Sequence, residues 1–186
     1  MIDLSRYSAS GFDRGASRLK EVLWTAVRVA FFCHSVPLPS ALKAFLLRAF
    51  GADVGSGVVI RSHVSVSFPW RLKLGDHVWL GDHVTILSLA PVEVGSSVCI
   101  SQRAFLCTGS HDYSKATFDL ETAPIRIDDH CWIAAQCFIA PGVHIGMGSV
   151  TAAGSVVVDD VAENTIVGGN PARTIKRIAR DDLKFL

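Results

Sequence analysis

The sequence predicts a mostly β fold in which a single chain winds into about five stacked, three-sided coils. The first reason is a strict period of six, because Leu, Ile or Val fills fourteen of fifteen positions taken six apart within blocks of eighteen. A helix repeats about every 3.6 residues and an open sheet about every 2, so this period requires one short strand and one sharp corner per repeat. The positions are Val54, Ile60, Val66, Leu74, Leu80, Ile86, Val94, Ile100, Leu106, Ile127, Ile133, Ile139, Ile145, Thr151 and Val157.

Small residues and corner-forming residues give the other two reasons. Four positions after each of these residues comes Val, Ala, Ser or Cys, with Trp70 as the exception. Large side chains then fill the interior, while small ones fit near corners, where a long side chain would overpack. Gly, Asp and Ser follow the aliphatic positions, where corners require unusual backbone angles. Coils stacked in this way bury one continuous core.

The spacing of the repeats divides the chain into three parts. Residues 1–53 form an N-terminal helical segment, residues 54–162 carry the repeats, and residues 163–186 form a tail with a Gly-Asn-Pro-Ala turn. Residues 112–126 interrupt the repeats after the third coil, so we expect them to leave the stack as a loop. A long loop inside a compact domain is usually functional or disordered. This loop begins directly after His111.

Two helices are predicted before the first coil. Residues 18–36 carry apolar residues at helical spacing opposite polar ones, and a second helix begins at Ser40. The first interpretation is that both helices cover the open first coil and pad a subunit contact. The alternative is peripheral contact with a membrane through Trp24, Phe31 and Phe32, since the apolar stretch is too short to span a bilayer. The apolar residues of the first helix are Leu19, Val22, Leu23, Ala26, Val27 and Ala30.

Composition limits the function classes and the compartment. The net charge is +1 and the Lys and Arg residues are scattered, so nothing indicates nucleic-acid binding. Five Cys residues show neither a CxxC pair nor metal-ligand spacing, and Cys131 and Cys137 fall on inward positions. We therefore expect buried, reduced thiols. With no signal peptide expected before the first apolar run, the sequence predicts a cytoplasmic protein, with association to the inner face of the membrane as the alternative.

His111 is the candidate catalytic residue, because it lies at a corner where the long loop begins. A neutral imidazole oriented through one nitrogen can remove a proton from an acceptor hydroxyl with the other. Asp112 or a loop carbonyl is the expected orienting group. The alternative is that this histidine is structural.

Five short runs together resemble a known family. Residues 75–81, 100–102, 106–113, 132–135 and 167–173 read GDHVWLG, ISQ, LCTGSHDY, WIAA and VGGNPAR. They resemble exopolysaccharide O-acetyltransferases of the colanic acid type and, more broadly, the maltose, galactoside and nodulation-factor acetyltransferases. The resemblance implies a left-handed parallel β-helix and a homotrimer with an active site in each of three clefts between subunits. It also implies acetyl-CoA as cosubstrate and His111 as the general base for direct transfer to a hydroxyl.

The resemblance also places the coenzyme along the fourth and fifth coils. Small residues there leave room for a thin pantetheine arm, and cations after the Gly-Asn-Pro-Ala turn are expected to face phosphate. Many relatives carry Thr-Lys where this chain has Val158 and Asp159, so that phosphate contact departs from the family pattern. The expected coenzyme-binding residues are Trp132, Ala135, Ala153, Arg173 and Lys176.

The acceptor site departs from that of the small-sugar enzymes as well. Where they place Tyr and Asn, this chain has Trp79 and Gly81, and an indole offers a stacking face for a pyranose ring. The alternative is an aromatic residue packed under the loop. We also expect His111 and His144 to share one corner column. The expected acceptor-binding residues are Trp79, Asp82, His83 and Tyr113.

The leading functional hypothesis is an acetyl-CoA-dependent O-acetyltransferase that modifies a sugar or glycan acceptor, free or lipid-linked, in exopolysaccharide, capsule or lipopolysaccharide biosynthesis. An alternative is acetylation of a free saccharide, amino acid or antibiotic. A distant alternative is a metal enzyme like the γ-type carbonic anhydrases, or a silent assembly module. Metal catalysis needs a third imidazole, but the His63–His83 and His77–His130 columns each have two, so no metal is expected.

Overall fold

A computed structural model describes residues 2–8 and 11–179, in which the chain winds into a parallel β-solenoid preceded by two helices. A short 3-10 helix, Leu4–Arg6, precedes α1 (Arg18–Phe31) and α2 (Ser40–Ala49). The strands follow as β1 (Asp53–Val54), β2 (Val59–Ile60), β3 (Ser65–Val66), β4 (Leu72–Leu74), β5 (Trp79–Leu80), β6 (Thr85–Leu87), β7 (Val92–Val94), β8 (Cys99–Ile100), β9 (Phe105–Cys107), β10 (Gly109–His111), β11 (Leu120–Thr122), β12 (Ile125–Ile127), β13 (Trp132–Ile133), β14 (Phe138–Ile139), β15 (His144–Ile145), β16 (Val150–Thr151), β17 (Val156–Val157), β18 (Thr165–Gly169) and β19 (Ala172–Arg177).

These strands stack into three faces. The first face has the order β1-β4-β7-β12-β15, the second β2-β5-β8-β13-β16-β18-β19, and the third β3-β6-β9-β14-β17. Neighbouring strands are parallel except β18 and β19, which are antiparallel. Each coil contributes one strand to each face, so the repeats build five complete coils. The predicted fold class is confirmed.

A sixth layer begins where the sequence predicted only a tail. β18 continues the second face, with Val167 opposite Thr151, before the chain turns back as β19. On the first face, Val161 bridges Ile145. Residues 180–186 of the expected tail lie outside the described residues.

The predicted inward positions form the core. None of the fifteen is more than 6 % exposed. In the second set, Trp70 and Ser110 are the two that are not buried. Trp70 lies in a 3-10 turn and donates its indole N–H to the Arg14 carbonyl at 2.8 Å, while Ser110 leaves the coil on β10. Cys131 is buried as expected, and burial raises the pKa of its thiol to about 11.

The outer side of the first face carries a ladder of alternating charges. Asp53 lies opposite Lys73, Lys73 opposite Glu93, and Glu93 opposite Arg126, where the alternation ends. Opposite charges in adjacent register stabilise a sheet, and like charges destabilise it. The ladder therefore favours the observed order of coils on this face.

Both helices cover the open end of the first coil and supply hydrogen bonds to its free edge. On the first face, Arg48 donates to the carbonyls of Val54 (2.8 Å) and Gly55 (2.6 Å). On the second, the buried Lys43 ammonium donates to the carbonyl of Arg61 at 2.8 Å. Each face has such a donor, since the Trp24 indole donates to the Val66 carbonyl of the third face at 2.9 Å. The expectation that the helices cover the first coil is confirmed.

The orientation of α1 differs from the sequence prediction. The helix ends at Phe31, short of residue 36, and Trp24 and Phe32 are fully buried against each other and the coil. Phe31 also packs against the core. Membrane insertion of these three aromatic residues is therefore wrong, because they fill the end of the coil. No helix among the described residues is long and apolar enough to cross a membrane.

The loop after the third coil is a β-hairpin. β10 and β11 pair antiparallel, with Gly109 opposite Thr122 and His111 opposite Leu120. The chain then rejoins the first face as β12. Backbone hydrogen bonds thus hold His111 in place at the edge of the coil.

Lys43→Met tests the closing of the open edge. Methionine keeps an unbranched apolar side chain but leaves the carbonyls of Ile60 and Arg61 without this donor. An unmet buried acceptor costs about 1–3 kcal/mol, so we expect the thermal unfolding midpoint to fall by roughly 2–10 °C. The control is Lys73→Met, which removes an exposed lysine and should change the midpoint little. Equal midpoints for both variants would contradict this role of Lys43.

Candidate active site

His111 lies where the third coil gives way to the hairpin. Its predicted column with His144 is wrong: Arg126 lies between Glu93 and His144 in the stack. The reason is that the hairpin carries His111 off the coil before β12 restores the register. The imidazole is consequently half-buried at a corner rather than part of the charged ladder.

The surroundings of the imidazole fix its orientation and its tautomer. The Nδ1 atom lies 2.9 Å from the carbonyl oxygen of Phe118, and the Phe118 ring stacks on the imidazole with centroids 4.3 Å apart and planes at 1°. The Tyr7 ring packs against the imidazole at 5.6 Å in an edge arrangement. A carbonyl can only accept, so in the neutral ring Nδ1 carries the proton and Nε2 carries the lone pair.

Phe118 is the residue of the candidate site that sequence reasoning missed. Its φ of +51° lies in the left-handed region, which non-glycine residues seldom adopt. In this conformation one residue supplies both the carbonyl that orients His111 and the ring that stacks on it. Left-handed residues outside regular corners often mark functional sites, but no signal in the sequence singles out this position.

Asp112 is not the orienting group in this structure. Its carboxylate accepts from the Ser114 hydroxyl at 2.5 Å and from the Ser114 N–H at 2.9 Å. Lys115 lies 3.4 Å from its other oxygen. The hydrogen bonds from Ser114, together with Lys115, hold the pKa of Asp112 below its usual value. Asp112 therefore shapes the hairpin, and the orienting group is the other expected candidate, a loop carbonyl.

A groove of about 590 Å³ lies at the base of the hairpin that carries His111. Ser110, the residue before His111, is one of its walls, whereas the His111 side chain points to the other side of β10. The groove offers polar and small groups and opens to solvent. Its lining is Ser110, Glu121, Thr122, Ala123 and Pro141.

The expected coenzyme residues lie at a different corner of the same chain. Ala135 and Ala153 occupy the turn between the second and third faces in successive coils, where the Gly154 N–H donates to the Ala135 carbonyl at 2.8 Å. Trp132 is 47 % exposed on the second face, with its indole N–H donated to the Ser101 hydroxyl at 2.9 Å. His111, in contrast, follows the third face. One chain thus presents the base and the coenzyme residues at separate corners.

The cations expected at the nucleotide end are exposed on β19. Arg173 and Lys176 both face solvent. Arg173 lies 3.2 Å from the carboxylate of Asp159, and both side chains are largely exposed. Asp159 is the position at which the sequence departs from the family pattern. The acidic side chain of Asp159 therefore pairs with Arg173, the residue expected to bind the phosphates.

The structure brings two of the four expected acceptor residues together. Trp79 and Asp82 line a groove of about 380 Å³ on the second face, beside Arg61. Trp79 is 58 % exposed, and the Arg61 guanidinium lies 3.4 Å from the Asp82 carboxylate. The other two do not line this groove: His83 is the next residue of the turn that carries Asp82, and Tyr113, 82 % exposed, lies on the hairpin.

His63 and His83 stack with ring centroids 4.4 Å apart, and His63 also hydrogen-bonds Ser35. Both have positive φ values, as does His77. Among residues 2–8 and 11–179, no group of three His, Cys, Asp or Glu side chains is placed to hold a metal ion.

Comparison with known proteins gives close relatives for this arrangement, although no family model matches the chain. The Escherichia coli (strain K12) protein named as a colanic acid biosynthesis acetyltransferase is 43 % identical over 176 residues, which are 95 % of this chain and 97 % of that protein. A hexapeptide-repeat acetyltransferase from Vibrio cholerae, solved with acetyl coenzyme A, superposes with a TM-score of 0.81 at 29 % identity, covering 89 % of this chain and 92 % of that one.

A galactoside acetyltransferase solved with coenzyme A gives a TM-score of 0.79 at 26 % identity, covering 89 % of this chain and 84 % of that one. Since the identity of 43 % to the Escherichia coli relative extends along nearly the whole length of both chains, this protein belongs to the hexapeptide-repeat acetyltransferases.

Proposed function

We propose that this protein transfers an acetyl group from acetyl-CoA to a sugar hydroxyl during the synthesis of exopolysaccharide, capsule or lipopolysaccharide. The observation that carries the proposal is the geometry of His111. Its Nδ1 is held by the Phe118 carbonyl at 2.9 Å, so Nε2 is the basic nitrogen and is free to take a proton. A relative named for colanic acid biosynthesis and structures with bound coenzyme support the substrate classes.

The reaction follows from this geometry. The oxygen of the acceptor hydroxyl attacks the thioester carbonyl while Nε2 of His111 takes the hydroxyl proton. Collapse of the tetrahedral intermediate breaks the carbon–sulfur bond, and the imidazolium returns the proton to the departing thiolate. Backbone amides near Ser110 or from the neighbouring subunit stabilise the oxyanion, while the Phe118 carbonyl stabilises the imidazolium. Holding both substrates together contributes as much as the base.

Direct transfer is supported over a thiol-linked intermediate. Cys107 is the nearby nucleophile, but it is buried, and its Sγ donates to the Gly109 carbonyl at 3.1 Å. A thiol that is buried and hydrogen-bonded to a carbonyl is poorly placed to accept an acetyl group. The reaction therefore proceeds through a ternary complex.

A homotrimer completes the site in this proposal. The base and the coenzyme residues lie at separate corners of one chain, so a neighbour brings its coenzyme corner to His111. The second face supports such packing, because its outer column is largely apolar. That column comprises Val59, Trp79, Cys99, Trp132, Val150 and Ile166.

In the proposed complex, the pantetheine arm passes over Ala135 and Ala153, and Trp132 borders its path. Arg173 and Lys176 face the nucleotide phosphates. Trp79 offers its exposed indole to the acceptor ring, with Asp82 as a hydroxyl acceptor beside it. The acceptor is a free or lipid-linked glycan, and the enzyme acts in the cytoplasm, at the inner face of the membrane when the acceptor is lipid-linked. A screen of nucleotide sugars and oligosaccharides with acetyl-CoA, in which release of free thiol is measured, identifies the acceptor.

Removing the base tests the mechanism. With an acceptor from that screen, His111→Ala should lower turnover by roughly 10²- to 10⁴-fold and leave the fold and coenzyme affinity unchanged. Cys107→Ala is the matched control and should be nearly silent, because direct transfer does not use the thiol. If Cys107→Ala abolishes activity, or if double-reciprocal plots are parallel, the acetyl group passes through a covalent intermediate instead.

The tautomer of His111 is open to measurement without an acceptor. Long-range ¹H–¹⁵N NMR of the neutral ring should show the proton on Nδ1, because the Phe118 carbonyl accepts from it. His111→Ala identifies the resonance by its loss. A ring protonated at Nε2 in the free enzyme would argue against His111 as the general base.

The pair Arg173–Asp159 yields opposite effects on coenzyme affinity. Arg173→Ala should weaken CoA binding measured by calorimetry, because it removes a cation from the phosphates. Asp159→Asn should leave binding unchanged or strengthen it, since the neutral amide no longer competes for Arg173. Ala153→Trp should block the pantetheine path while the protein stays folded. Equal weakening of CoA binding by Arg173→Ala and Asp159→Asn would mean that the nucleotide end of CoA does not bind at β19.

A further inference from the structure

One side of α1 consists of uncharged aliphatic residues that face away from the coils. Leu19, Val22, Leu23 and Val29 are 68 %, 65 %, 51 % and 60 % exposed, and Ala26 and Ala30 between them are exposed as well. At about 1.5 Å per residue, the helix presents them along roughly 20 Å. We call these six residues the α1 stripe.

Two charged residues of the helix, Glu21 and Arg28, are turned toward the protein. The Glu21 carboxylate pairs with Arg14 at 2.8 Å and is only 14 % exposed. The Arg28 guanidinium approaches the Ser65 hydroxyl at 3.4 Å. The helix thus buries its aromatic residue Trp24 together with charged groups and leaves its aliphatic side in solvent. A continuous apolar surface of this kind marks a contact surface.

The charge of the helical part indicates what it contacts. Residues 18–52 contain five basic side chains and one acidic side chain, a net charge of 5 − 1 = +4. The whole chain has a net charge of +1, so the other residues sum to 1 − 4 = −3. The single acid of the helical part, Glu21, is turned inward, whereas Arg18 at the start of the stripe is exposed. The helical part is therefore net positive; Lys43 and Arg28 are turned toward the coil, and Arg18 and Arg48 are the basic side chains exposed to solvent.

An anionic bilayer matches both properties. Amphipathic helices lie in the interface with their apolar side below the headgroups, and nearby basic residues strengthen the attraction to anionic lipids. A second copy docked through the same stripe would instead bring two positively charged helical segments together. The combination of an aliphatic stripe and a positive flank favours lipid over self-association.

We propose that α1 lies flat on an anionic membrane with the α1 stripe inserted at the boundary between headgroups and acyl chains. This names the surface responsible for the location in the proposed function, and it rests on that part of it. Trp24 and Phe32 stay within the protein, so membrane contact does not open the end of the coil.

Vesicle binding of the full-length protein tests this inference. Co-sedimentation is compared for vesicles of phosphatidylglycerol with phosphatidylcholine and for vesicles of phosphatidylcholine alone. Wild type should bind the anionic vesicles at least tenfold more tightly, and binding should weaken in high salt. The double variant Val22→Gln/Leu23→Gln removes apolar surface without changing charge and should weaken binding at least tenfold. Thr25→Gln, exposed on the same helix beside the stripe, should bind like wild type.

Two companion measurements separate the outcomes. Calorimetry with CoA on the same proteins should give equal affinities, which shows that each variant is folded and that coenzyme binding is independent of the stripe. Absence of vesicle binding with intact CoA binding overturns the membrane inference alone. Loss of CoA binding in wild type overturns the proposed function instead. Light scattering that shows smaller oligomers for the double variant, with no vesicle binding by wild type, would identify the stripe as a subunit contact and also overturn the inference.

Discussion

A parallel stack of coils has an open end, and the structure depends on closing it. Every coil satisfies its backbone through its neighbours, but the first coil has no neighbour on one side, and unpaired strand edges are sites of unwanted association. Here three side chains from two helices, Arg48, Lys43 and Trp24, each reach a different face and donate to its free carbonyls. The helical segment therefore caps the first coil of the β-solenoid. Its polar and aromatic residues lie where they can donate hydrogen bonds to the free carbonyls.

Sequence reasoning predicted the coils correctly but not the orientation of α1. The coil positions were predictable because a six-residue period ties side-chain size directly to interior or corner, and all fifteen inward residues are buried. The orientation of α1 was not predictable from its periodicity. A helical wheel treats every apolar residue alike, whereas the hydrogen bond from the Trp24 indole to the Val66 carbonyl selects one side.

The candidate active site shows a similar division. The sequence singled out His111 by its position beside a long insertion and offered a loop carbonyl as one of two orienting groups, but it did not indicate that the carbonyl belongs to Phe118. The Phe118 carbonyl meets Nδ1 because Phe118 adopts a left-handed conformation in the hairpin. Phenylalanine, unlike Gly, Asn, Asp or His, gives no sequence signal for that conformation. Asp112 was the more obvious partner by sequence. Asp112 lies next to His111 in the sequence, but its carboxylate instead accepts hydrogen bonds from Ser114 within the local turn.

Because the charges on the first face alternate from coil to coil, removing one coil and removing two have different effects. Loss of the coil that carries Lys73 would set Asp53 beside Glu93, and loss of the next would set Lys73 beside Arg126. Either change replaces an attractive neighbour with a repulsive one, while loss of both coils together leaves Asp53 beside Arg126 and restores alternation. Each such pair contributes only about 0.2–1 kcal/mol. By this interaction alone, losing one coil costs the face more than losing two adjacent coils.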